Sequence, residues 1–163
     1  GIPPFAWIAR IPYEDGIAED KISRRGILQY YRELVGKDIG DLDVKDIALR
    51  AIIDKDEVSM RVFHKLGSDL GKVLKPICVK FQPECLVFGG QISKSFSLFE
   101  KPLREHLRSI PSLKRISRAR SIDLSPLYGV ARLIFKDASS PAWELSRDQE
   151  KIRKALAMQE REH

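Results

Sequence analysis

Cysteine is scarce in this chain. Cys78 and Cys85 are the two thiols among 163 residues, and no secretion signal accompanies them. That excludes a disulfide framework and points to a reducing compartment, so a cytoplasmic location is expected. The seven-residue gap between them is not a C-x-x-C spacing, and the three histidines His64, His106 and His163 are far apart, so no zinc site is expected. No apolar run approaches the ~20 residues that span a bilayer, and the opening GIPPFAWIARIPYEDG lacks a basic region followed by an apolar one. G-x-S-x-G and G-x-x-x-x-G-K-[ST] are both missing, so neither a hydrolase nucleophile elbow nor a P-loop is present. The basic excess of +6 is scattered among acids, with one denser run at Lys114–Arg120 and no nucleic-acid motif. A dispersed excess of this kind reads as solvated surface, and direct nucleic-acid binding is not expected.

What is present is one ordinary core in an α/β pattern. FAWIARI reads as a strand, so close to the start that sheet partners are expected upstream, and PYEDG reads as a turn. Residues 21–35 carry Ile27, Tyr31, Leu34 and Val35 at helical spacing, with Gly36 as the stop. Acids from Asp41 onward lead a short helix through residue 53. A long helix over residues 56–80 carries Val62, Leu66, Leu70, Val73 and Ile77 as its stripe. Gly67 and Gly71 lie on a neighbouring track, and their cost of about 1 kcal/mol each in helix propensity predicts close approach of another backbone. Pro76 should disturb the last turns.

Cys85–Phe88 is a continuous apolar run, expected as a strand covered on both faces and broken by Gly89-Gly90. Phe96, Phe99, Leu103 and Leu107 mark an amphipathic helix that Ser93 or Ser95 could cap; Pro102 falls inside it without a local reason. Residues 116–122 read as a further strand. Ser125-Pro126 then starts a buried helix, and a linker leads to a charged helix at the C-terminus.

Two features could carry chemistry. Gly89 and Gly90, at the carboxyl end of a strand, would let backbone approach a ligand; they fit equally a tight turn with no ligand. Glu14, Asp15, Glu19 and Asp20 would offset a helix dipole, or one of them could accept hydrogen bonds from the hydroxyls of a polar ligand.

Taken together, three blocks resemble the ROK family of sugar kinases and regulators. These are DGIAEDKISRRGI from Asp15, FQPECLVFGGQISKS after the long glycine-bearing helix, and SPLYGVARLI. The resemblance covers about residues 5–136. It implies one lobe of an actin-like ATPase (ribonuclease H-like) fold: a small mixed sheet with several helices over residues 1–137, then a linker and helical tail over 138–163. It matches Glu19 to a glutamate that binds sugar hydroxyls, and Gly89 and Gly90 to the adenosine-side glycines. Sugar and adenine nucleotide are the implied ligands, with ATP and Mg²⁺ used by the complete protein. The family's catalytic aspartate and phosphate loops lie upstream of this lobe, so no catalytic residue is expected here and the chain alone should be inactive. Where the family often has zinc-binding cysteines, this sequence has Arg10, Pro12 and Ile17, so the resemblance implies no zinc. Three readings follow: part of a sugar kinase, the sugar-sensing domain of a transcriptional regulator, or an oligomerisation module able to form a homodimer.

Overall fold

The computed structural model describes residues 8–119, of which all but Ala119 belong to one compact unit. After a 3-10 turn at Ile8–Arg10, a short antiparallel hairpin pairs β1 (Pro12–Tyr13) with β2 (Gly16–Ile17). The strand expected over FAWIARI is therefore not what Ile8, Ala9 and Arg10 form. Its apolar residues gain no sheet partner there, and Ile8 is exposed. Phe5, Ala6 and Trp7 lie outside the described residues.

The helix expected over residues 21–35 is two helices. α1 (Ala18–Ile22) ends at Ser23, which is extended (φ −96°, ψ 172°) and caps α2 (Arg24–Val35) by accepting from the Gly26 amide at 3.3 Å. Gly36, at φ 64°, closes α2 as anticipated. Asp43 opens α3 (Val44–Leu49), which widens into a π turn at Arg50–Asp54 rather than continuing as α-helix.

The long helix α4 (Glu57–Phe81) is capped by Asp56, whose carboxylate accepts from the Ser59 amide at 2.7 Å, and it runs through Pro76. It packs chiefly on α5 (Phe96–Leu107) and also on α1, α2 and α3. Phe63, Phe99, Leu103 and Leu107 are almost fully buried at this centre. Burial of each side chain of this size contributes about 1.5–3 kcal/mol.

Gly67 meets another backbone as expected, whereas Gly71 meets a side chain. A methyl group on Gly67 would run into the Phe99 carbonyl oxygen and lie 2.7 Å from Pro102 Cγ; one on Gly71 would lie 2.5 Å from His106 Cβ. Pro102 is thereby explained: its ring is buried against Gly67, where a bulkier pair would hold the helices apart. His106 is fixed by a 2.8 Å hydrogen bond between Nε2 and Ser68 Oγ.

Between these helices comes β3 (Cys85–Phe88), which pairs in parallel with β4 (Arg115–Arg118). The expectation that β3 is covered on both faces is corrected. Leu86 and Phe88 pack on the core, while Cys85 and Val87 face outward, Val87 at 60% exposure. Among the described residues β3 has one strand partner and helices against one face, so its side chains alternate in burial. The expected cap of α5 also differs: Ser95 makes no side-chain cap bond, and the Ser93 hydroxyl donates to the Gly90 carbonyl at 2.7 Å. The helices expected from residue 125 onward lie outside the described residues. No helix among the described residues is long and apolar enough to cross a membrane.

Candidate functional site

The acidic group around the hairpin separates into roles that sequence alone left open. Asp20 caps its own helix: Oδ2 accepts from the Ile17 amide at 3.1 Å, and Oδ1 pairs with Arg25. Glu14 and Asp15 both pair with Lys21, at 3.6 and 2.8 Å. The Lys21 ammonium beside Asp15 holds that carboxyl below its usual range. Glu19 is different. It is the second residue of α1, exposed, and makes no hydrogen bond or ion pair among the described residues.

Beside Glu19's helix lies a polar cleft of about 560 Å³ between the hairpin, α1, α2 and α4, lined by Glu14, Asp20, Lys21, Tyr30, Lys65 and Asp69 among others. Asp69 is 1% exposed, an unusual place for a carboxylate. It accepts from the Tyr13 hydroxyl at 2.8 Å and pairs with Lys65 at 2.9 Å. Burial, the bond to Asp69 and the nearby negative charge all push the Tyr13 phenol well above its ordinary pKa. Sequence reading missed this cluster because Tyr13 and Asp69 are 56 residues apart. A signal was present: Asp69 interrupts the apolar face that Val62, Leu66 and Val73 define, and Lys65 stands one helical turn before it.

Gly89 and Gly90 follow the carboxyl end of β3. Gly90 has φ 79° and ψ 172°, a conformation nearly confined to glycine, and a methyl group on either residue would meet nothing within 4 Å. The turn therefore offers bare backbone beside open space. Behind it Phe88, Phe96 and Phe99 form a ring cluster with centroids 5.4–6.1 Å apart, which fixes the end of β3 to the first turn of α5. Glu19 and the glycine pair stand on separate elements, both carried by α4: α1 packs on it directly, and the turn is held through α5.

Among the described residues no group of three or more His, Cys, Asp or Glu side chains could hold a metal ion. Arg10, Pro12 and Ile17 offer no thiol or imidazole at the hairpin.

The ROK family model matches residues 14–137, most of the chain. The chain belongs to the ROK family. No curated protein matches it. Several solved structures share its fold, among them the following three. A protein from Cytophaga hutchinsonii assigned as a sugar kinase is 22% identical with a TM-score of 0.68, over 80% of this chain and 48% of the other. A ROK glucokinase from Streptomyces griseus, solved with glucose and AMPPNP, is 21% identical with a TM-score of 0.61, over 74% and 45%. A ROK transcriptional regulator homologous to the Escherichia coli Mlc protein is 23% identical with a TM-score of 0.54, over 63% and 29%. This ROK chain thus spans about half the length of the kinases, or less of the regulator, and has the mixed α/β fold of a lobe of actin-like ROK proteins.

Proposed function

We propose that the chain is the C-terminal lobe of an ATP-dependent sugar kinase of the ROK family, contributing half of the sugar site and half of the nucleotide site. The observation that carries this reading is the free carboxylate of Glu19. Three of the four acids around the hairpin are engaged, while Glu19 stays open at the start of α1. An ionised carboxylate accepts hydrogen bonds from adjacent sugar hydroxyls strongly and with direction.

The glycine turn supports the nucleotide half. Its bare backbone and the open space beside Gly89 and Gly90 fit a flat adenine or a ribose. ATP would supply the phosphoryl group there. The described residues offer no magnesium cluster, and this reading leaves magnesium to the phosphates and the opposing lobe. The general base that takes the proton from the attacking sugar hydroxyl also belongs to that lobe. Phosphoryl transfer depends on holding the hydroxyl, the phosphate and the metal in line. The isolated 163 residues should therefore bind weakly and turn nothing over.

Calorimetric titration of this chain with ATP and with hexoses tests the reading. Weak binding that Glu19→Gln abolishes for the hexose, with no phosphorylation, is the expected result. Extension of the chain to the length of its structural relatives should then produce ATP-dependent hexose phosphorylation. Sugar binding with no turnover at that length would favour the second reading, a sugar-sensing regulator, which the likeness to the Mlc homologue keeps in view. Sugar phosphorylation by the isolated chain would refute the assignment to half a site.

A further inference from the structure

The β1–β2 hairpin should not hold its shape unaided. Each strand is two residues long, and two-stranded hairpins are marginal in water even at greater length. Its turn places Glu14 at φ 52°, a left-handed conformation that a non-glycine residue adopts only at a cost. Apolar anchoring is thin: Pro12 and Gly16 are exposed, and Tyr13 and Ile17 only half-buried. Yet α1, and with it Glu19, begins directly from β2, through the Ala18 amide that donates to the Ile11 carbonyl at 2.8 Å. The hairpin is thus one support of Glu19, beside the packing of α1 on α2 and α4.

The fixing groups are polar and come from α4. Asp69 Oδ1 accepts from the Tyr13 hydroxyl of β1 at 2.8 Å and from Lys65 Nζ at 3.2 Å, and Lys65 lies 2.9 Å from Oδ2. The same ammonium reaches Glu14 of the strained turn at 3.8 Å and sits 5.5 Å from the centre of the Tyr30 ring on α2. Lys21 of α1 closes the far side of the turn onto Glu14 and Asp15. A buried carboxylate is tolerated only when its oxygens are satisfied, and here both are, by one donor from the hairpin and one from α4. Burial makes this arrangement specific. An exposed ion pair would be interchangeable with water, whereas a shielded carboxylate that loses the phenol is left with Lys65 as its one side-chain donor among the described residues.

We propose that Tyr13, Lys65 and Asp69 form a clasp that pins the hairpin to α4 and thereby positions Glu19. These are positioning residues. The clasp stands on its own geometry; its bearing on sugar recognition rests on the role proposed for Glu19.

Hydrogen–deuterium exchange on the intact chain tests it. The perturbation is Tyr13→Phe, which keeps the ring and removes one hydroxyl; Asp69→Asn is the stronger companion, and Tyr13→Phe keeps the test usable if that variant fails to fold. Amides of residues 11–18 should exchange roughly tenfold faster in Tyr13→Phe, while those of α5 exchange as in the parent. A chelator should leave the parent's hairpin unchanged. Parental exchange rates at residues 11–18 in Tyr13→Phe would overturn the clasp. So would equal loosening of α5, which would mark a general loss of stability, and so would loosening by the chelator, which would put a metal in its place. Hexose titration of the same variant separates the two ideas. A looser hairpin with weaker hexose binding is expected. A looser hairpin with unchanged hexose affinity keeps the clasp and refutes the role of Glu19.

Discussion

Gly67→Ala is a sharp test of how this lobe is packed. On an open helix face the change would stabilise by about 1 kcal/mol, because alanine is the better helix former. At Gly67 the added methyl group would collide with the Phe99 carbonyl oxygen and lie 2.7 Å from Pro102 Cγ. The first obstacle is backbone and the second a closed ring, so neither can swing aside. α5 would have to back away from α4 along the most heavily packed seam of the structure. Overpacking of this kind costs about 1–3 kcal/mol, which outweighs the gain in propensity. For a chain of this size each kcal/mol moves Tm by roughly 2–4 °C, so a loss of about 2 kcal/mol should lower it by about 4–8 °C. Thermal and urea unfolding followed by circular dichroism would measure the change. Lys72→Ala, on the exposed side of the same helix, is the control and should lie within about 0.5 kcal/mol of the parent. A Gly67→Ala protein as stable as the parent, or more so, would refute the close-contact account of the seam.

Three further outcomes follow from the same structure. Gly90→Ala has room for its methyl group but not the backbone freedom at φ 79°, so it should cost about 1–3 kcal/mol in urea unfolding and, by displacing the turn, weaken any nucleotide binding seen by calorimetry. The Tyr13 phenol is raised above its ordinary value of 10.0, so its contribution to stability is complete below pH 10 and is lost as pH climbs through the higher folded value. Urea midpoints between pH 8 and pH 11 should therefore fall more steeply in the parent than in Tyr13→Phe, and equal slopes would contradict the Asp69 bond. Of the two thiols, exposed Cys85 should react at once with a disulfide reagent, while Cys78, buried and with its thiol pushed up by burial, should react only on unfolding.

Sequence carried the elements whose cause is local. α4 was legible because apolar residues recur at helical spacing; Gly36 was legible because the left-handed stop of α2 needs glycine. The Gly67 and Gly71 contact could be inferred because two glycines in a long helix require a compensating neighbour, and that neighbour is α5. What failed depended on tertiary surroundings. FAWIARI has strand composition, yet Ile8, Ala9 and Arg10 find no strand to pair with and turn as a 3-10 helix. The interruption at Ser23 was hidden inside a good helical period, because serine serves as well for ending α1 as for starting α2. At the candidate site, the glycine pair was singled out by its place after a strand and Glu19 from its acidic group by resemblance; all three are exposed. That Glu19 is the open member of its acidic group depended on where Lys21, Arg25 and Lys65 reach, which spacing does not encode.

One property of α4 has a mechanical consequence. Lys65 and Asp69 project from one side toward the hairpin, while Gly67 and Gly71 meet α5 from nearly the opposite side, two residues being about 200° apart around the axis. A single stiff rod thus carries the Glu19 helix on one flank and, through α5, the glycine turn on the other. Reporter groups attached near Glu19 and near Gly90 should keep a constant separation whatever is added to the solution. Motion around a ligand would then leave the spacing of Glu19 and Gly90 unchanged.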